Sequence, residues 1–495
     1  MLNVPHDLYT SEQIRQLENI AINEHNLPAA ELMSRAGSAS LDSLKLHWPL
    51  AKQILILCGT GNNGGDGFEL ARQAATNDYN VTVMQVGDQS KLTPTAQAAR
   101  DALIATGTEI QRFKDKLPST DIIVDALIGT GLNREVADDF KAIINAINHN
   151  KHSPVLSLDL PSGLHADTGN VLGAAVKATI TISFIGLNKG IFTGDGPNYS
   201  GKTCFDSLDI PSIIYKRLTP IAQRVSLEKD GARLAPRERT GHKGLYGHLL
   251  VIGGDHGMPG AARLAAEAGA RVGSGLTSIA TRTTHEPILN LARPELMCHG
   301  VENVDDLVPL LRSTNAITIG PGLGQSAWGN SLFQKAIETK KPIVVDADAL
   351  NLLSKSAQHH DHWVLTPHPG EAARLLDCSS SEVQSDRFTA VKELQSRYGG
   401  IAVLKGSGSL IHNGQAPTRL SSWGNPGMGS GGMGDVLAGV IGGLLAQGFP
   451  LMDAACVGVT LHGMAADKAA EQDGERGMLA MDLMPHLRHL ANLIY

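Results

Sequence analysis

The chain has 495 residues, 42% of them hydrophobic and 18% charged, an ordinary globular composition that is too long for one core, so two domains are expected. Its net charge of −7, with no long basic run, argues against a nucleic-acid groove as the main binding surface. Five scattered cysteines without metal-ligand spacing (Cys58, Cys204, Cys298, Cys378, Cys456) read as free thiols in a reducing compartment; with no signal pattern at the start and no bilayer-length apolar stretch, a cytoplasmic location is expected.

Along the first half, β-branched runs predict strands over 54–57, 80–86, 122–126, 155–158 and 178–184, with helices over 10–26, 68–76, 94–105 and 140–148. The pattern breaks around 207–230, at Asp209-Ile210-Pro211 and Pro220, which puts a boundary near residue 220 and domains over 1–220 and 225–495. The second half predicts strands over 248–252, 276–280, 316–319, 342–345, 363–365, 401–405 and 409–412. Its helices are predicted over 260–271, 331–338, 370–376, 385–398, 436–447 and 453–473. Short strands alternating with longer helices are the signature of parallel α/β layers.

Glycine makes up 54 residues, roughly 11% against a usual ~7%, and the excess sits in loops after strand-like runs. The first such loop runs Gly59-Thr60-Gly61-Asn62-Asn63-Gly64-Gly65-Asp66-Gly67. Its Gly-x-Gly-x-x-Gly spacing fits a dinucleotide fingerprint, yet Asp66 in the first helical turn would repel a pyrophosphate. The run is either a site for hydroxyls, a ring amide or a cation, or a polar helix cap. Two more polar segments follow predicted strands: Asp125 to Glu135, which contains Gly129-Thr130-Gly131-Leu132-Asn133-Arg134-Glu135, and Leu158-Asp159-Leu160-Pro161-Ser162-Gly163. The carboxyl ends of parallel strands line a ligand crevice, so Asn63, Asp125, Asp159 and Ser162 are placed to converge on a hard cation or on sugar hydroxyls. Lys189 is either a cation beside that crevice or a surface lysine.

In the second half, Gly320-Pro321-Gly322-Leu323-Gly324, Val345-Asp346-Ala347-Asp348, and Thr366-Pro367-His368-Pro369-Gly370-Glu371 each follow a predicted strand. Lys405-Gly406-Ser407-Gly408-Ser409 forms a turn whose donors suit a nucleotide phosphate. The set closes on Gly432-Met433-Gly434-Asp435, where helix-start N–H groups make an anion hole and Asp435 can accept a proton from a hydroxyl being phosphorylated. No Gly-x-x-x-x-Gly-Lys-Ser/Thr is present, so the chain is not a P-loop NTPase.

The motifs GTGNNGGDG, DALIGTGLNRE and LDLPSGL resemble the YjeF N-terminal domain, the NAD(P)H-hydrate epimerase family, over residues 10 to 215. That resemblance implies a Rossmann-like three-layer αβα sandwich. It assigns Asn62, Asn63, Gly64, Gly65, Asp66, Gly129, Thr130, Gly131, Leu132, Asn133, Arg134, Glu135 and Asp159 to the hydrated nucleotide, with Asp159 a candidate proton carrier. A potassium ion falls to Asn63, Asp125 and Ser162. Residues 225 to 495 resemble the ribokinase-like αβα domain of the ADP/ATP-dependent NAD(P)H-hydrate dehydratases. There the resemblance assigns Ala261, Gly322, Gly324, His368 and Asp435 to the hydrate, Asp435 as base, and Lys405, Gly406, Ser407, Gly408, Ser409 and Gly434 to the adenine nucleotide. His368 is otherwise a turn residue between two prolines.

Joined in this order, the two domains are similar to a bifunctional NAD(P)H-hydrate repair family. The implied activities are epimerisation of NADHX and NADPHX and dehydration of the S form with ADP and Mg2+, in a homo-oligomer without nucleic-acid or membrane partners. A ribokinase-type small-molecule kinase with a regulatory or scaffold N-terminal domain is the alternative. A stable phosphate ester as product would distinguish it.

Overall fold

The strands that open both halves are apolar on both faces, as buried parallel strands must be. The computed structural model describes residues 4–113, 116–291 and 293–492, and the chain divides into two units, Met1–Ala222 and Gln223–Tyr495.

In the first unit the strands are β1 (Asp7–Tyr9), β2 (Gln53–Cys58), β3 (Asn80–Gln85), β4 (Ile110–Arg112), β5 (Ile122–Ala126), β6 (Val155–Leu158), β7 (Ile180–Phe184), β8 (Leu187–Asn188) and β9 (Lys202–Asp206). The main sheet runs β4-β3-β2-β5-β6-β7-β9, and every pairing in it is parallel. Alternate side chains of β2 go to opposite layers. Ile54, Ile56 and Cys58 pack with Leu17, Ala21 and Phe68, while Leu55 and Leu57 pack with Ile143, Ile144 and Ile147. That alternation is what a sheet covered by helices on both faces requires. The chain leaves β2 toward β3 on one side and later returns to β5 on the other, so a crevice opens beyond the carboxyl ends of β2 and β5.

A short strand, β10 (Ala222–Arg224), spans the division. The second unit contains β11 (His248–Ile252), β12 (Leu276–Thr281), β13 (Met297–Gly300), β14 (Ala316–Ile319), β15 (Ile343–Val345), β16 (Trp363–Leu365), β17 (Ile401–Leu404), β18 (Ser409–His412) and β19 (Thr418–Ser421). They lie in the order β13-β12-β11-β14-β15-β16-β17-β18-β19. Pairing is parallel as far as β17 and antiparallel from there. The order switches direction between β11 and β14, which places the loops 253–255 and 320–324 side by side. Among the described residues, no helix is long and apolar enough to cross a membrane.

The structure corrects several expected boundaries. The helix expected from residue 68 is Asn62–Ala75, so residues 62–67 of the glycine-rich run are its first turns rather than a loop. Glycine is tolerated there because the helix packs too tightly for side chains: a β-carbon on Gly64 would meet the Gly59 carbonyl at 2.2 Å, and one on Gly67 would meet Ala126 at 2.6 Å. The helix Ala29–His47 was not expected and begins after Pro28 without a side-chain cap. Strands β9, β13 and β19 were also unforeseen. Their Lys, Asp, His, Gly and Arg residues weaken the alternation signal, and pairing with neighbours supplies what propensity lacks.

Candidate active sites

The first site lies in the crevice beyond β2 and β5. A cavity of about 1060 Å3 is lined there by Asn62, Asn63, Asp66, the segment Gly129 to Glu135, Asp159 and Glu18 among others. Gly129 sits between two of these groups: a β-carbon on it would fall 3.0 Å from Asp159 Oδ2 and 3.2 Å from Asn63 Cβ. Asp159 itself holds a left-handed backbone conformation, φ 63°, at the end of β6, fixed by its N–H donating to the Ile182 carbonyl at 2.7 Å. Non-glycine residues are uncommon in that region and cluster at functional sites.

Beside the cavity, Asp125 is fully buried. It accepts hydrogen bonds from Ser162 Oγ at 2.5 Å, Ser162 N at 2.9 Å, Ser157 Oγ at 2.8 Å and Leu127 N at 3.3 Å. Asn63 is buried at 7% exposure, and among the described residues neither of its side-chain polar atoms has a partner. An orphaned buried amide costs on the order of 1–3 kcal/mol, so a water, an ion or a substrate group is expected to meet it. Burial raises the Asp125 carboxyl. It raises Asp159 to about 6, opposed by a hydrogen bond from the Thr130 backbone and assisted by Glu18. Asp66 is pushed well up by burial and by the charges of Asp159 and Glu18. The cavity therefore favours one or more neutral carboxylic acids near pH 6. Asn62 is different: it is exposed, and its Oδ1 accepts from Thr93 Oγ1 at 2.7 Å.

The second site is gathered from five strand ends. Lys405, after β17, places its Nζ 2.8 Å from Asp346 Oδ1 and 3.7 Å from Glu371 Oε2. Thr366 Oγ1 donates to the same Asp346 oxygen at 2.8 Å. Gly434 faces this pair, since a β-carbon on it would lie 3.3 Å from Lys405 Nζ. The helix Met433–Ala446 starts from Gly432, φ 90°, with no side-chain cap, leaving its first N–H groups open. Asp435 in its first turn is pushed up to about 7 by burial and by the charge of Asp346, with Lys405 opposing and Asp348 and Glu371 adding.

Gly322 and Ala261 are neighbours, a β-carbon on Gly322 meeting Ala261 Cβ at 3.2 Å. Gly324 donates its N–H to Asp348 Oδ2 at 2.9 Å. His368 is the N-cap of the helix Pro369–Leu376, its Nδ1 accepting from Gly370 N at 3.0 Å. Its side chain is half exposed, and its imidazole is lowered by partial burial and by the charge of Lys405. The Lys405–Ser409 turn is held from within by Arg387, which is buried and donates to the carbonyls of Leu404, at 3.3 Å, and Gly408, at 3.2 Å.

Asp346, Arg387 and Glu18 did not stand out as site residues in the sequence. Asp346 was visible inside a strand-end Asp-x-Asp segment, whereas nothing local marks a helical arginine or glutamate as facing a site. In the first unit the structure gathers Asn63, Asp66, the 129–135 segment and Asp159 on one cavity, with Asp125 and Ser162 bonded to each other and not among its lining. Around Lys405, in the second unit, it gathers Gly434, Asp435 and His368.

Both units have counterparts among known families. A family model described as YjeF-related protein N-terminus matches residues 29–190, and one described as NAD(P)H-hydrate dehydratase matches residues 249–488. Over 486 residues the chain is 48% identical to a bifunctional NAD(P)H-hydrate repair enzyme of Coxiella burnetii, with 98% of this chain and 99% of that one covered. This chain belongs to the bifunctional NAD(P)H-hydrate repair enzyme family. The Escherichia coli member is 43% identical over 492 residues, covering 99% of this chain and 95% of its own. A solved ribokinase-like superfamily protein from Enterococcus faecalis V583 overlays 55% of this chain and 95% of its own, at TM-score 0.51 and 27% identity. The family and the α/β, ribokinase-like fold to which the motifs pointed are thus those of the chain.

Proposed function

We propose that the first unit interconverts the R and S forms of hydrated NADH and NADPH, and that the second dehydrates the S form at the expense of ADP. The observation that carries the reading is Asp435: a carboxyl poised near neutrality, at an open helix start, beside the cation of Lys405. A base poised near the working pH is what removal of a hydroxyl proton needs.

In the second unit the C6 hydroxyl of the hydrate attacks the β-phosphorus of ADP. Asp435 takes the hydroxyl proton, and the P–O bond to AMP breaks. The N–H groups of Met433 and Gly434 meet the charge on the transferring phosphoryl group. The ring nitrogen then expels phosphate from C6, and loss of the C5 proton restores the dihydronicotinamide. ADP is taken as its magnesium complex. Lys405–Ser409 and Gly434 hold the nucleotide, and Ala261, Gly322, Gly324 and His368 line the hydrate.

In the first unit the segments 62–66 and 129–135 and Asp159 bind the hydrate. Asp159, with a carboxyl near 6, carries the proton for reversible ring opening at C6. The orphaned Asn63 amide and the oxygen-rich Asp125 and Ser162 suit a hard monovalent cation, so these three would hold potassium. Such an ion would supply a fixed positive charge at the end of β5. Residues 1–220 and 225–495 are proposed as separable catalytic domains, of which a homo-oligomer is assembled.

The test is direct. Mixed NADHX epimers, ADP and Mg2+ should regenerate the absorbance of reduced nicotinamide, with consumption of both epimers. A stable phosphorylated product without return of NADH would overturn the reading in favour of a kinase.

A further inference from the structure

The glycine-rich run that ends at Asp435 is fastened at both ends to one helix, Leu451–Asp473. At its beginning, Asp467 accepts from Gly424 N at 3.0 Å and from Asn425 Nδ2 at 2.9 Å. Asn425 Oδ1 in turn accepts from Gly427 N at 3.0 Å. Gly463, one turn before Asp467, lets the run lie against the helix, because a β-carbon there would fall 2.8 Å from the Trp423 backbone. At the end of the run, His462 is buried at 6% exposure and hydrogen-bonds the backbone of Met433. Its Nε2 has no partner among the described residues. Met433 is the first residue of the helix that carries Asp435.

A segment this rich in glycine has no conformational stiffness of its own, yet an anion hole works only if its N–H groups are aimed before the charge arrives. We propose that His462 and Asp467 are positioning residues that clamp the 424–433 run onto the helix Leu451–Asp473, and so aim the Met433 and Gly434 N–H groups and Asp435 at the transferred phosphoryl group. The proposal rests on the reading of Asp435 as the dehydratase base. Burial, assisted by the charge of Lys405 and opposed by the Met433 backbone contact, holds the imidazole down at about 4. Asp435 is faced by Asp346, Asp348, Glu371 and Lys405, so a displaced helix start changes its proton affinity.

The experiment uses the full chain with the S epimer, ADP and Mg2+, and reads kcat, KM and the acid limb of the rate–pH profile, with epimerisation as an internal control. His462→Leu and Asp467→Ala should each lower the kcat for dehydration ~10–100-fold, as misaimed groups do. KM should change far less, the acid limb should move, and epimerisation should be untouched. His462→Gln, which keeps a polar side chain for the Met433 backbone, should recover most of the rate. Leu and Ala variants within twofold of the parent, or an unmoved acid limb, would overturn the clamp. So would a rate loss that His462→Gln does not rescue while its thermal midpoint stays normal. Asp435→Asn is run in parallel. A normal rate in that variant defeats the base assignment on its own, whatever the clamp variants do.

Discussion

Lys405 and Asp346 form a buried ion pair, 2.8 Å between Nζ and Oδ1, and Gly434 is glycine at a position where a β-carbon would stand 3.3 Å from that nitrogen. One ammonium thus faces Asp346, Glu371 and Asp435 at once, and these carboxylates together raise its own proton affinity against the cost of burial.

Replacing Lys405 with Met should therefore damage both stability and catalysis. It leaves Asp346 buried without its cation, which typically costs about 3–5 kcal/mol. Thermal unfolding should show the loss in the second unit. Dehydration should disappear, because Asp435, without the opposing charge, would stay protonated at neutral pH. Epimerisation at a temperature where both units are folded should be unchanged. A Met variant with a parental midpoint would show that the pair contributes nothing to the fold.

The Asp435 carboxyl, raised to about 7, sets a pH dependence of defined sign. As a base it must be ionised, so kcat/KM for dehydration should fall as pH drops below about 7 and level off above it. Asp435→Asn should lose ~10²–10⁴-fold in rate and abolish that limb. It should leave the epimerase rate intact, since Asp159 belongs to the other unit. A flat profile from pH 6 to 8 in the parent chain would remove Asp435 from the role of base.

Asp159 predicts an opposite effect on stability. Its carboxyl sits at about 6 in the fold against 3.8 in the open chain. A group raised on folding stabilises fully below its unfolded value, and that contribution is lost as pH rises through the folded one. At pH 8 the ionised Asp159 therefore destabilises the first unit. Because its side chain keeps an edge on the cavity, the penalty is discounted to ~2 kcal/mol. Asp159→Asn should abolish epimerisation while raising the thermal midpoint by about 4–8 °C at pH 8 and by almost nothing at pH 4. Equal shifts at the two pH values would contradict the assignment.

How far the sequence could be read follows from the range of each signal. Gly59 to Gly67, Gly320 to Gly324 and Gly432 to Asp435 are local strings, and their placement after strands is visible without coordinates. The helix over 62–75 was hidden, because glycine and asparagine argue against a helix and only close packing on Gly59, Met33 and Ala126 explains them. Arg387, Glu18 and His462 were hidden for another reason. Each sits in an ordinary helical stretch, and what makes it part of a site is the partner it meets: the carbonyls of 404–408, the charge of Asp159, the backbone of Met433. The unpartnered amide of Asn63 is likewise a fact of burial, although its place beside Gly64 and Asp66 was a fact of sequence.

Nucleotide choice gives the last prediction. Whichever nucleotide is used, its terminal phosphate must lie at the open start of the helix Met433–Ala446, within reach of Asp435. With ADP the adenosine sits one phosphate closer to that point than with ATP. The Lys405 side chain is folded inward onto Asp346 and Glu371. The turn itself is held close to the sheet by Arg387, and Ser409 Oγ donates within it to the Gly406 carbonyl at 3.2 Å. On the proposed reading the turn, held from behind by Arg387, keeps its seat and takes the shorter phosphate chain of ADP. The kcat/KM for ADP with the S epimer and Mg2+ should exceed that for ATP. Arg387→Met, which frees the turn, should narrow the ratio, chiefly by weakening ADP. A parent chain that prefers ATP would refute the ADP assignment and leave the dehydratase reading in place, because the base, the anion hole and the regenerated dihydronicotinamide are the same for both donors.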